Sequence, residues 1–190
     1  MGRILRVIDE KLFHIINGVW SNRFFDAVMP LVTDLHQVRF FIFILVPLVL
    51  AAWIYRQRQK AIKVLLGRVL TIALSDSISH RVIKPFFHRA RPQKAGIQVV
   101  MRTHPYSGYS FPSNHAANCF AGAFFLGSIY PILRLPLLAA AFLVAYSRVY
   151  VGMHFPFDVF GGAVLGWGLG WLVAALFRKR VSRKDSGSAV

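Results

Sequence analysis

The sequence predicts an all-α integral membrane protein: a polytopic helical bundle of five to six transmembrane helices, with an N-terminal amphipathic helix at the membrane interface. Hydrophobic residues make up 56% of the 190 residues, and the mean hydropathy is +0.52. The apolar residues also occur in long blocks that are separated by short charged stretches. A soluble core of this size does not need so many apolar residues, so the blocks indicate membrane spans.

The first element is the segment "MGRILRVIDEKLFHIINGVW". Its apolar residues follow approximate helical spacing, which is typical of a helix that lies in the membrane interface. The charges at positions 9 to 11 interrupt the apolar stretch that a signal peptide requires, and no small-residue cleavage site follows. We therefore expect an interfacial helix here, with a sixth span through "FFDAVMPLVTD" as an alternative.

Five apolar blocks follow, at 40–55, 61–83, 113–132, 135–150 and 156–177. Each approaches the roughly 20 residues that a helix needs to cross about 30 Å of hydrocarbon. In the last block Gly162, Gly166 and Gly170 recur every four residues, so another helix can approach that face closely. Residues 1–180 are expected to form a single membrane-embedded domain, and the polar tail at 181–190 is expected to be disordered.

The basic residues indicate how the chain is oriented. The net charge is +16, and the clusters "RQRQK" (56–60) and "RKRVSRK" (178–184) lie on one side if the five spans alternate. That side is predicted to be cytoplasmic and to contact anionic lipid headgroups. Nucleic acid is excluded as a partner, because the basic residues sit at membrane boundaries and no binding motif occurs.

The opposite side carries "HRVIKPFFHRARPQK" (80–94), whose basic residues break the positive-inside pattern. Lys84 and Arg91 lie seven residues apart there, and an ammonium with a guanidinium fork suits a tetrahedral phosphate dianion. The alternative is that these side chains only extend to the interface. His88 and Arg89 have the same ambiguity and are left outside the predicted anion site.

A second polar stretch, "PSNH" (112–115), precedes an apolar block and predicts a helix start. Backbone amides at such a start, together with the Ser113 hydroxyl, bind phosphate oxygens readily. His115 would lie in the first helical turn, beside the anion. The alternative is that Ser113 only caps the helix.

The third stretch is "SRVYVGMHFPFD" (147–158), in which Arg148 closes one span and Pro156 begins the next. Gly152 allows the intervening turn, and Asp158 in the first turn of the next helix can reach back to His154. This pair resembles a base held by an orienting acid, with one ring nitrogen left free to attack phosphorus. A purely structural His-Asp pair is the alternative.

Taken together, the three stretches resemble the three-part signature of the type 2 phosphatidic acid phosphatase family. The matching residues are Lys84, six residues, Arg91-Pro92; then Pro112-Ser113-Asn114-His115; then Ser147-Arg148, five residues, His154, three residues, Asp158. One departure is Asn114, where the family usually has glycine. Its amide can donate to a phosphate oxygen or a headgroup, so Asn114 is predicted to bear on substrate choice.

The resemblance implies removal of phosphate from a membrane lipid phosphate or pyrophosphate, with no metal and no cofactor. His154 would be the nucleophile that forms a phosphohistidine, Asp158 would orient it, and His115 would protonate the leaving oxygen. The phosphoryl oxygens would be held by Lys84, Arg91, Ser113 and Arg148. The single cysteine, Cys119, excludes an intramolecular disulfide and a zinc site of several thiolates.

The expected location is the bacterial inner (cytoplasmic) membrane, with the active site facing the periplasm. The small, insertion-free chain favours undecaprenyl pyrophosphate or lipid A 1-phosphate as the substrate. Phosphatidylglycerophosphate and phosphatidic acid are alternatives, as is transfer of the phosphoryl group to a second lipid. A non-catalytic transporter of lipid phosphates or anions would use the same cations, but it would place charges near the membrane midplane.

Overall fold

All regular elements in the described part of the chain are helical, as predicted. The computed structural model describes residues 2–34, 46–57 and 59–186. The helices are α1 Arg3–His14, α2 Arg23–Thr33, α3 Val46–Gln57, α4 Gln59–Ile78, α5 Lys84–Phe87, α6 Asn114–Ile129, α7 Arg134–Tyr150 and α8 Pro156–Ser186. Short π-helical turns continue α1 at Ile15–Val19 and α4 at Ser79–Ile83, and 3-10 turns occupy Pro92–Lys94 and Pro131–Leu133.

The predicted apolar blocks correspond to helices wherever the chain is described. The blocks at 61–83, 113–132, 135–150 and 156–177 match α4 with its π turn, α6, α7 and α8. Part of the first block, at 40–45, lies outside the described residues. By length and composition alone, Pro131–Tyr150 and Pro156–Arg178 are able to cross a membrane. The count of five to six spans stays a prediction, and so does the sixth span, since residues 35–45 after α2 are not described.

Helix α6 lies at the centre of the bundle, where it packs against α8, α7 and α4. The glycine face of α8 makes the closest of these contacts possible. A Cβ atom on Gly166 would lie 2.2 Å from the Ala117 carbonyl oxygen, and one on Gly162 or Gly170 would lie 2.4 Å from a carbonyl oxygen of the α6 region. This close packing confirms the interpretation of the glycine spacing, and it fixes the start of α6 against the start of α8.

The turn between α7 and α8 is closed by backbone hydrogen bonds. The N–H groups of Met153 and His154 both donate to the Arg148 carbonyl oxygen, at 3.0 and 3.2 Å. Gly152 has a φ of +88°, a left-handed conformation that a side chain would strain. Pro156 is the first residue of α8, as predicted.

Helix α1 exposes apolar side chains such as Ile4 and Leu12, while its inner side buries Asp9 and Phe13. Phe13 packs on Phe155 of the α7–α8 turn, with ring centroids 5.4 Å apart. The helix therefore rests directly on the turn that carries His154. The domain boundary at 180 and the disordered tail at 181–190 stay predictions: α8 extends to Ser186, and residues 187–190 lie outside the described part.

Candidate active site

The three polar stretches meet at one cavity of about 410 Å³. Six of the eight predicted site residues line it, namely Lys84, Arg91, Asn114, His115, Arg148 and His154. The other lining residues are His80, Tyr106, Ser107, Gly108 and Tyr109. Residues from sequence positions 84 to 154 thus line one cavity, and they include two of the three residues with expected catalytic roles.

Asp158 lies behind His154 and is fixed by several donors. Asp158 Oδ2 is 3.5 Å from His154 Nδ1, and it accepts a hydrogen bond from the Phe155 N–H at 2.9 Å. The Ser110 hydroxyl also donates to this oxygen and lies 3.5 Å from His154 Nδ1. The carboxylate is therefore held at the Nδ1 side of the ring, where an orienting acid is expected.

The opposite ring nitrogen of His154 faces a donor. Arg91 Nη1 lies 3.2 Å from His154 Nε2, and a guanidinium has donors only. Nε2 is therefore the acceptor, which places the proton of the neutral ring on Nδ1, toward Asp158. This is the tautomer that leaves the Nε2 lone pair available for attack.

His154 is 2% exposed. Burial lowers the pKa of His154 to about 4, and Arg91 and Arg148 act in the same direction, whereas the hydrogen bond and the charge of Asp158 oppose the shift. Because burial disfavours the charged imidazolium more than Asp158 favours it, the ring is neutral at pH 7. A neutral ring is the form that a nucleophile requires.

The second oxygen of Asp158 binds a residue that sequence reasoning left out. Arg89 Nη1 donates to Asp158 Oδ1 at 2.7 Å, and Arg89 Nη2 donates to Asp9 on α1. Asp9 is fully buried, and its other oxygen accepts from the Phe157 N–H at 2.9 Å. Burial raises the pKa of Asp9 above its ordinary value, while the bonds to Arg89 and Phe157 oppose the rise.

Lys84 and Arg91 are held by the carbonyl oxygens of the loop that covers the cavity. Lys84 Nζ donates to Tyr109 O at 2.9 Å and to Pro112 O at 3.0 Å. Burial, followed by the neighbouring charge of Arg91, lowers the pKa of Lys84 to about 8. Arg91 donates from Nε to Gly108 O at 3.2 Å, and burial lowers its pKa as well.

Arg148 is 1% exposed and is anchored by one nitrogen, since Nη1 donates to Thr33 Oγ1 of α2 at 2.7 Å. Its Nε has no hydrogen-bond partner among the described residues. The cavity lining thus holds three cationic side chains and no Asp or Glu. A buried donor left unsatisfied beside two other cations favours an anionic ligand.

Ser113 takes a different place from the one expected. It is fully buried and is not among the residues that line the cavity. Its hydroxyl accepts the Ala116 N–H at 3.5 Å, and its own N–H donates to the Asp158 carbonyl oxygen at 2.9 Å. Ser113 therefore caps α6, and its backbone N–H ties the start of α6 to α8.

Asn114 lines the cavity, but its amide is directed toward the end of α4. Asn114 Nδ2 lies 2.9 Å from Asp76 Oδ1 and 2.8 Å from His80 Nδ1, while its Oδ1 accepts from the Ser79 hydroxyl at 2.7 Å. The predicted contact of this amide with a phosphate oxygen is therefore replaced by a network within the protein. No local pattern in the sequence indicated the partners on α4, which lie 34 to 38 positions away.

Comparisons with known proteins show the family to which the chain belongs. The PAP2 superfamily profile matches residues 64–182. A lipid A 4'-phosphatase of Bacteroides thetaiotaomicron is 32% identical over 128 residues, covering 64% of this chain and 57% of that protein. The chain thus spans little more than half the length of that relative. Phosphatidylglycerophosphatase B of Bacillus subtilis is 31% identical, covering 92% of this chain and 83% of that protein.

A solved structure has the same fold. The crystal structure of a transmembrane PAP2 type phosphatidylglycerolphosphate phosphatase from Bacillus subtilis superposes with a TM-score of 0.69 at 28% identity. The superposition covers 94% of this chain and 88% of that one. The profile match includes all three polar stretches around the cavity. On these grounds the chain belongs to the PAP2 superfamily.

Proposed function

We propose that the protein dephosphorylates a membrane lipid phosphate or pyrophosphate through a phosphohistidine, without a metal ion, at the outer face of the bacterial cytoplasmic membrane. The observation that carries the proposal is the setting of His154. Its Nδ1 side faces Asp158, and its Nε2 lies beside Arg91, one of three cationic side chains that line the cavity with His154. Phosphoryl transfer chiefly needs positioning and charge stabilisation, which these groups supply.

In the first step, Nε2 of His154 attacks phosphorus while the bond from phosphorus to the lipid oxygen breaks. Arg91 Nη1 moves from Nε2 onto a phosphoryl oxygen, and Lys84 and Arg148 bind the others. His115 donates a proton to the leaving oxygen, so the lipid departs as an alcohol or as a monophosphate. The phosphohistidine retains its proton on Nδ1, where the Asp158 carboxylate stabilises the positive ring.

In the second step, water attacks phosphorus and His115, now neutral, removes a proton from it. The bond from Nε2 to phosphorus breaks, inorganic phosphate leaves, and His154 returns to its neutral form. A hydroxyl of another lipid would react in the same way as water, so the acceptor decides between hydrolysis and phosphotransfer.

The names of two relatives, which refer to lipid A and to phosphatidylglycerophosphate, support a lipid phosphate as the substrate. Lipid A phosphate and undecaprenyl pyrophosphate are the leading candidates for this chain, with phosphatidylglycerophosphate and phosphatidic acid as alternatives. All four place a phosphate at the membrane surface, within reach of a cavity at the end of a helical bundle.

A substrate panel tests the proposal. Phosphate release by the purified protein in detergent is measured on the four lipid classes, with and without EDTA, and with His154→Ala as the comparison. We expect release from at least one class, unaffected by EDTA and lost in the variant. A ³²P-labelled donor should label the wild-type chain at an acid-labile, alkali-stable site. Unchanged release by His154→Ala would exclude the proposed nucleophile, and loss of activity in EDTA with recovery in magnesium would exclude the metal-free mechanism.

A further inference from the structure

A polar cluster joins the end of α4 to the start of α6 beside the proposed catalytic groups. It consists of Asp76, Ser79, His80, Asn114 and Asn118, and it is called the α4–α6 cluster below. Two of its members, His80 and Asn114, line the same cavity as His154 and His115. The mechanism above uses none of its side chains.

Hydrogen-bond chemistry fixes the orientation of the Asn114 amide. The Asp76 carboxylate only accepts hydrogen bonds, so the atom 2.9 Å from its Oδ1 must be the NH₂ group of Asn114. The Ser79 hydroxyl donates to the amide oxygen on the other side, at 2.7 Å. The second NH₂ hydrogen is then available to His80, whose Nδ1 lies 2.8 Å away.

This orientation also fixes the tautomer of His80. A proton on Nδ1 would place two donors face to face at 2.8 Å, so Nδ1 accepts from Asn114 and the neutral ring carries its proton on Nε2. The Asp76 carbonyl oxygen lies 3.3 Å from Nδ1 and is the weaker, longer contact. Asn114, which replaces the glycine usual in the family, therefore fixes His80 at the cavity wall with Nδ1 as the acceptor and Nε2 as the donor.

The charge behind this wall is negative. Asp76 Oδ1 accepts from the amides of Asn114 and Asn118, at 2.9 and 3.1 Å. Asp76 forms no ion pair with any Lys or Arg in the described part of the chain. A second phosphate at this wall would lie near a carboxylate that has no cationic partner among the described residues, whereas an uncharged oxygen would meet the N–H donor of His80.

The cluster lies beside the group that protonates the leaving oxygen in the proposed mechanism, because Asn114 directly precedes His115. We propose that His80, held by Asn114, forms a subsite for the uncharged oxygens of a sugar in the leaving group. The preferred substrate is then a lipid whose single phosphate is attached to a sugar, rather than a polyprenyl diphosphate. This inference rests on the proposed function and narrows its substrate class.

The test compares kcat/KM for two substrates in the purified full-length protein: an acylated glucosamine disaccharide that carries one phosphate, and undecaprenyl diphosphate. We expect the wild type to favour the sugar phosphate. Asn114→Gly and His80→Ala should each lower kcat/KM for the sugar phosphate about tenfold, the effect of one lost hydrogen bond. Both variants should change kcat/KM for the diphosphate less than about threefold, because groups that share no contact act nearly independently of each other.

Three further variants make the test specific. His80→Gln restores an N–H donor and should recover most of the preference for the sugar phosphate. Asn118→Ala removes an amide that contacts Asp76 but not His80, and it should leave the preference nearly unchanged. Asp76→Asn removes the negative charge and should raise kcat/KM for the diphosphate.

The outcomes separate this inference from the proposed function. If the wild type releases phosphate from neither substrate, the proposed function fails. If the wild type is active and His154→Ala is inactive, but His80→Ala changes both substrates by the same factor, only the subsite is wrong. A wild type with the higher kcat/KM for undecaprenyl diphosphate would also overturn the subsite. So would an Asn118→Ala variant whose substrate preference changes as much as that of Asn114→Gly.

Discussion

Arg89 joins Asp158 to Asp9, and so it connects the carboxylate behind His154 to the N-terminal helix. One guanidinium nitrogen donates to Asp158 Oδ1 at 2.7 Å, and the other donates to Asp9. The guanidinium also lies over the Phe155 ring, 4.3 Å from its centroid. Asp9 lies before the part of the chain that matches the PAP2 profile, residues 64–182. The support of the orienting acid thus extends beyond the three motif stretches.

The first prediction concerns Asp9→Asn. Asp9 accepts from Arg89 with one oxygen and from the Phe157 N–H with the other. An asparagine keeps one acceptor and turns an NH₂ donor toward the other partner, so Arg89 should hold Asp158 less firmly, while Ser110 and the Phe155 N–H still bind Asp158. We expect kcat to fall about tenfold with KM nearly unchanged, the effect of one lost charged hydrogen bond.

Steady-state kinetics on the preferred lipid check this prediction. Glu10→Gln is the matched control, because Glu10 is the next residue of α1 and its one ion pair among the described residues is with the exposed Arg6, at 2.7 Å. It should retain wild-type kcat. Equal kcat values for the wild type and Asp9→Asn would show that α1 does not contribute to the position of Asp158.

The acid limb of the pH profile provides the second prediction. Attack needs neutral His154, and burial lowers its pKa to about 4. The neutral form therefore persists as the pH falls below the ordinary histidine range, and it is lost only as the pH passes through about 4. The pH dependence of kcat/KM reports the pKa values of groups in the free enzyme. We therefore expect kcat/KM to remain high at pH 5 and to decrease at lower pH. A half-loss near pH 6.5 would mean that His154 titrates like an exposed histidine, or that another group sets this limb.

The alkaline limb provides the third prediction. Burial lowers the pKa of Lys84 to about 8, so the charge that binds phosphate is lost as the pH rises through this value. Since the mechanism also needs protonated His115, we expect the loss of the Lys84 charge to add a further decline in kcat/KM above pH 8. Lys84→Arg keeps its charge across this range, so the decline should move to higher pH even if the absolute rate is lower. An alkaline limb that stays in place in Lys84→Arg would assign it to another group, such as the His115 acid.

The sequence predicted the residues that line the cavity better than it predicted the residues that hold Asp158 in place. Lys84, Arg91, Arg148 and His154 could be found because their spacing is a local pattern within short stretches. Asp9 and Arg89 could not, since a carboxylate on an amphipathic helix and an arginine in a basic run have no local sign of pairing across 80 positions. Ser113 was placed at the phosphate because a helix cap and an anion site share one signature.

The glycine face of α8 provides the last prediction, which separates helix packing from chemistry. A Cβ atom on Gly166 would lie 2.2 Å from the Ala117 carbonyl oxygen, whereas one on Gly168 would meet nothing within 4 Å. Gly166→Ala must therefore push α8 away from α6 and separate Asp158 from the start of α6, where His115 lies. We expect it to lower the free energy of unfolding by about 1–3 kcal/mol and to reduce kcat, as measured by thermal unfolding in detergent and by phosphate release.

Gly168→Ala should be neutral or stabilising by up to about 1 kcal/mol, because alanine favours the helix. Equal melting temperatures and rates for the two variants would mean that α6 and α8 do not need this close contact to assemble the site.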